Sequence, residues 1–182
     1  MANSVENVYS TALFELCQEQ GTLKDTYDEL SQVTGAVFNG AHSQFVELLS
    51  SPLIPFEDKQ NALTGVFGDR LSVTVFDFLC VVTKKGRIKH LPAICEQFKQ
   101  MYYEKENILE VTATTVQPLS EKLKQKLIEK LGSVSGKSII LHEKLDRAIL
   151  GGIVLRYGNT EIDSSVKTKL DKIKSQIDAI IV

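Results

Sequence analysis

From Val5 the apolar positions run Val5, Val8, Tyr9, Ala12, Leu13, Leu16 and Cys17, the i, i+3, i+4, i+7 recurrence of one helix face, and Gly21 ends the run. Thr22 followed by Asp25 resembles a capping box, after which Leu23, Tyr27, Leu30, Val33 and Val37 stripe a second helix. A short third helix is predicted over Gln44 to Leu49, because Pro52 and Pro55 cannot continue a helical hydrogen-bond ladder. Glu57 to Phe67 reads as a fourth. The stretch LSVTVFDFLCVVT, Leu71 to Thr83, has strand propensity, yet its length suits a helix that is apolar nearly all round and so buried. After the polar turn KKGR, the series Ile88, Leu91, Ile94, Cys95, Phe98, Met101 and Tyr102 marks a sixth helix, with Pro92 tolerated in its first turn.

The pattern changes at Glu106-Asn107. In ILEVTATTV, Leu109, Val111 and Ala113 alternate with Glu110, Thr112 and Thr114, as in a half-buried strand. Ser120 is the predicted N-cap of a helix striped by Leu123, Leu127, Ile128 and Leu131, which Gly132 ends in a left-handed conformation. Strands are predicted over Ser138 to Leu145, Gly152 to Tyr157 and Thr160 to Asp163, the last two joined by the Gly158-Asn159 turn. Val166, Leu170, Ile173, Ile177 and Ile180 stripe a final helix. The expected fold class is α+β. An N-terminal six-helix bundle, residues 1–105, precedes a small α/β domain, residues 106–182, with a short sheet and two helices.

Composition narrows the function classes. The chain of 182 residues is 43% hydrophobic and 24% charged, as in a globular protein with a packed core. A formal charge of −2 offers no positive field for nucleic acid. Cys17, Cys80 and Cys95 are odd in number and form no C-x-x-C pair, which supports neither a disulfide framework nor a zinc knuckle and fits a reducing compartment. The start MANSVENVYS has no secretory pattern and no window suits a membrane span, so a soluble chain is expected.

Candidate chemistry is sparse. GSVSGKS, Gly132 to Ser138, is one residue short of a phosphate loop, and it follows a helix and precedes a strand where a phosphate loop requires the reverse; it reads as a turn. Gly151-Gly152 reads as a bulge or a close backbone approach. His42, His90 and His142 are far apart and form no metal-ligand spacing, and each cysteine sits on an apolar helix face as a small hydrophobe. KKGRIKH, Lys84 to His90, could contact phosphate but reads better as a solvated turn, with Lys84 and Lys85 complementing a helix C-terminus. No catalytic residue, cofactor, metal or small-molecule substrate is expected.

Three stretches carry a family resemblance: YSTALFELC from Tyr9, KKGRIKHLPAICEQFKQMY from Lys84, and LDRAILGGIVLRYGNTEIDSSVKTKL from Leu145. The whole chain resembles the delta subunit of bacterial and chloroplast F-type ATP synthases, related to the mitochondrial oligomycin-sensitivity-conferring protein. Arg147 stands where that family usually has proline, Ser164 where it has a smaller residue, and Lys169 where arginine is common; Ser164 can still cap the last helix.

The resemblance implies a non-catalytic stator at the cytoplasmic face of the bacterial plasma membrane. Its N-terminal domain would bind the N-terminal segment of an alpha subunit, and its C-terminal domain the b subunits of the peripheral stalk. A groove between the first and fifth helices, including Tyr9, Ala12, Leu13, Asp77, Val81 and Lys84, is the expected alpha site. Phe14, opposite the first helix's main stripe, adds apolar surplus. Gly151, Gly152 and the last helix, with Ile173 and Ile177, form the expected stalk contact. The alternative is an unrelated soluble helical adaptor.

Overall fold

A computed structural model of the chain describes residues 5–38 and 43–172. The chain divides into two compact units, Met1–Tyr103 and Glu104–Val182. The first contains α1 (Val5–Gln20), α2 (Leu23–Phe38), α3 (Ser43–Ser50), α4 (Phe56–Phe67), α5 (Val73–Lys84) and most of α6 (Leu91–Lys105), with a single 3-10 turn at Ile88–His90. α2 touches α1, α3 and α5, while α4 lies against α5. Leu13, Leu30, Leu63, Leu79, Ile94 and Phe98 are among the residues that fill the core. Phe98 meets Phe14 edge to face at 5.8 Å.

The ambiguous stretch is helical because its start is fixed from outside. Ser72 caps α5 by accepting from the Val75 amide, and Glu29 of α2 accepts from both the amide and the hydroxyl of Ser72, at 3.0 and 2.8 Å. The helix is not buried all round: Val75, Leu79 and Val82 face the core, whereas Val73 and Val81 are exposed. At the start of α2 the Thr22 hydroxyl is buried without a partner, so the expected capping box does not form. The turn is held instead by backbone bonds from Gly21 to Gln18 and from Thr22 to Cys17.

The second unit is a four-stranded sheet in the order β2-β1-β3-β4, with β1 Ile108–Thr115, β2 Ser138–Leu145, β3 Ile153–Tyr157 and β4 Thr160–Asp163. β1 and β2 are parallel, joined through α7 (Glu121–Ser135); β1–β3 and β3–β4 are antiparallel. Val111, Ala113 and Leu155 form the core beneath α7, packed by Leu127, Leu131, Ile139 and Leu141. The other sheet face carries Thr112, Thr114 and Arg156, and an ion pair between His142 and Glu110 at 2.8 Å.

Three expectations for this unit need correction. α7 runs one turn beyond Leu131, and Gly136, at φ 68°, is the left-handed residue that ends it; Gly132 lies inside the helix. The expected two helices are joined by a third helical segment, a one-turn 3-10 helix at Arg147–Ile149, opened by the Asp146 carboxylate accepting from the Ala148 amide. Such a segment is too short to show a period. The last helix, α8, starts at residue 166 and is described to residue 172. Its cap is Ser165, not Ser164: the Ser165 hydroxyl accepts from the Thr168 amide at 3.2 Å. Asp163 completes the cap, accepting from the Thr168 hydroxyl at 2.6 Å and the Ser165 amide at 2.7 Å, which holds its carboxyl below the usual range.

Candidate functional site

α1 has more apolar surface than one core face can use. Leu13 and Cys17 turn inward, whereas Val8 and Leu16 remain 53% and 43% exposed. α5 repeats the arrangement, with Val73 77% and Val81 49% exposed. The two surpluses meet in a groove of about 670 Å³, walled by Val8, Ala12, Leu16, Val73 and Val81 over a floor that includes Leu13 and Phe78. Tyr9 stands edge to face against Phe78 at 6.4 Å and bounds the floor at one end. From Val8 to Gln20 the groove follows α1 for about 18 Å, or roughly three helical turns.

The groove's ends are polar and different. At one, the Thr74 hydroxyl donates to the Gln20 amide oxygen at 3.2 Å. At the other, Arg87 lies over the Tyr9 ring at 5.3 Å and donates to its hydroxyl at 3.3 Å. Asp77 lines the groove between them and is exposed. Burial, with a smaller contribution from the Asp77 charge, pushes the Cys80 thiol up. Near α2, burial pushes the Cys95 thiol up to about 11 against the lowering hydrogen bond from Thr34. Neither thiol has the depressed pKa of a nucleophile.

Tyr9, Ala12, Leu13, Asp77 and Val81 are thus brought together, with Leu13 reduced to the floor. Lys84 is not with them. As the last residue of α5 it turns away, placing its ammonium 5.5 Å from the Phe56 ring centroid. Phe14 is not a groove residue either, since it packs on Phe98. Val8, Leu16, Val73, Thr74, Phe78 and Arg87 line the groove without having been singled out for it; the signal was the width of the α1 stripe, of which the core takes only Leu13 and Cys17, and the apolar circumference of α5.

In the second unit, Gly152 adopts φ +84° and faces its own chain: an added Cβ would lie 2.6 Å from the Ser164 carbonyl oxygen and 2.9 Å from the Ser165 Cα. At Gly151 an added Cβ would meet Val166 Cγ2 at 3.2 Å. The pair therefore allows the close approach of the segment before α8, tied by the Val166 amide donating to the Gly151 carbonyl and the Ser164 amide to that of Ile153. Beside it Leu150 is 69% exposed, and on α8 Val166 and Leu170 are 43% and 54% exposed. Ile173 and Ile177 lie outside the described residues, as does His42.

No group of three or more metal-ligating side chains occurs among the described residues, and no helix among them is long and apolar enough to cross a membrane. The geometry defines a two-unit α+β protein whose most developed surface feature is a helix-sized apolar groove. Residues 5–177 match the model of the ATP synthase delta (OSCP) subunit family, and the chain belongs to that family as a structural, stator-type subunit. It is 32% identical to ATP synthase subunit delta of Clostridioides difficile, covering 100% of this chain and 99% of the relative. It is 34% identical to the subunit delta of Fusobacterium nucleatum, over 90% and 92%. A chain in the Toxoplasma gondii mitochondrial ATP synthase hexamer shares the fold, with TM-score 0.74 and 22% identity, over 96% of this chain and 98% of that one. Family membership removes the alternative of an unrelated adaptor.

Proposed function

We propose that the α1–α5 groove receives the N-terminal segment of an ATP synthase alpha subunit as an amphipathic helix, while the second unit holds the b subunits of the peripheral stalk. The chain then links the catalytic head to the stalk at the cytoplasmic face of the membrane and keeps the head from turning with the rotor. It does so as a tether, without chemistry of its own. The observation that carries this reading is the groove itself, an apolar trough about three turns long between two helices. Its polar ends and central Asp77 favour a helix whose apolar stripe is flanked by a basic residue opposite Asp77 and a carboxylate near Arg87.

Calorimetric titration of the chain with a synthetic alpha N-terminal peptide tests it. Saturable binding is expected. Ala12→Glu or Val81→Glu should weaken it by 2 kcal/mol or more, roughly 30-fold, by burying an unpaired carboxylate. Both positions are exposed, so the fold should survive. Wild-type affinity in both variants would refute the assignment.

For the stalk contact the support is narrower: exposed Leu150, Val166 and Leu170 cluster in sequence around the glycine pair and α8. Gly151 and Gly152 act there by shaping the backbone, and Ile173 and Ile177, outside the described residues, are assigned to the same contact. Leu170→Asp should abolish recovery of the b subunits in a pull-down while leaving alpha-peptide binding unchanged. Undiminished recovery would exclude α8 from the contact.

A further inference from the structure

A second cavity of the helical unit, about 490 Å³, shares no lining residue with the groove. It lies between the Ser50–Phe56 segment and the end of α5, and its lining includes Lys59, Lys84 and Lys85 but no aspartate or glutamate. Lys59 is unusual for a lysine in being only 7% exposed. Its ammonium donates to the Ser51 carbonyl oxygen at 2.6 Å and has no carboxylate partner among the described residues. A buried charge in this state is unfavourable unless a counter-charge reaches it.

Two further features border the same space. Thr83 is 1% exposed, and its hydroxyl is buried without a hydrogen-bond partner. α4 begins there at Pro55 and Phe56 with no side-chain cap, leaving the amides of its first turn and the positive end of its dipole open. The α4 first-turn acids, Glu57 and Asp58, are exposed and do not line the cavity. The KKGR turn, which reads from sequence as plainly solvated, therefore supplies Lys84 and Lys85 to a hollow that already holds a buried, uncompensated ammonium.

We infer that this cavity binds a phosphate group, held by Lys59, Lys84 and Lys85, with the start of α4 as a further donor. Three lysines without an acid in the lining call for an anion carrying more than one charge. Lysine serves phosphate as a point charge, and the nearby Arg87 is engaged with Tyr9. The volume exceeds that of a bare phosphate, and Ile54 and Phe56 supply an apolar wall, so a small phosphomonoester fits as well as the free ion.

The full chain would be titrated with inorganic phosphate and with phenyl phosphate in chloride buffers of matched ionic strength, by calorimetry and thermal unfolding. Saturable one-to-one binding is expected, raising Tm by roughly 5–10 °C at about ten times Kd. The exposed double variant Lys84→Gln/Lys85→Gln should bind at least tenfold more weakly. Lys59→Met should lose the phosphate-dependent rise while unfolding no earlier than wild type in chloride, because it removes an uncompensated charge. If Lys59→Met does not fold, the double variant decides. Tighter phenyl phosphate assigns an ester as occupant, and equal affinity assigns the free ion. No saturable binding of either probe, or unchanged affinity in the double variant, overturns the site.

Discussion

Replacing Gly152 by alanine is expected to destabilise the sheet unit by about 2–5 kcal/mol, combining the strain of a left-handed residue with overpacking. The new methyl would meet backbone, which cannot rotate aside: the Ser164 carbonyl at 2.6 Å and the Ser165 Cα at 2.9 Å. Relief requires parting the two segments, which breaks the bonds from Val166 to Gly151 and from Ser164 to Ile153. Ser165 would then no longer be held to cap α8, although the Asp163 contacts are local and could persist. Against a domain stability of roughly 5–15 kcal/mol this is a large fraction. Urea denaturation together with amide exchange of β3 and β4 would measure it; wild-type protection of these strands would contradict the account.

Phe98→Ala should cost the helical unit about 3–5 kcal/mol, the range for deleting a fully buried aromatic ring. Phe98 is 0% exposed and supports α1 through its edge-to-face contact with Phe14. The loss should reach function, because α1 is one wall of the groove. Alpha-peptide affinity should fall even under conditions where the variant remains folded. Phe98→Leu, which keeps most of the volume, should recover most of the stability. The readouts are the urea midpoint and peptide titration on the same samples. Loss of stability with unchanged affinity would show that the groove does not depend on this contact.

Much of the fold was legible because apolar spacing and breakers agree. The stretch from Leu71 reads as a helix on length, and the structure adds what length alone lacks, the Glu29 carboxylate at the Ser72 cap. The groove was legible as excess: α1 and α5 carry more apolar positions than their core faces use. What spacing does not disclose is which neighbour a given face meets. Phe14 and Ala12 both lie off the buried stripe of α1, yet one reaches Phe98 and the other the groove. Lys84 sits at a helix end, where its long side chain follows Phe56, more than twenty residues away in sequence. Lys59 was invisible, since a lysine in an amphipathic helix gives no sign of being buried. The choice between Gly132 and Gly136 as the helix stop turned on one extra turn that either glycine could end.

The groove lies along α1 and α5 together, and this gives any helix seated in it a direction. A pull along the trough shears every anchor at once, so its resistance grows with the number of turns engaged. A pull away from the trough opens the contact from one end and meets the anchors singly. A joint of this shape is therefore strong lengthwise and weak to peeling, and the angle at which the occupant leaves it governs how much force it withstands.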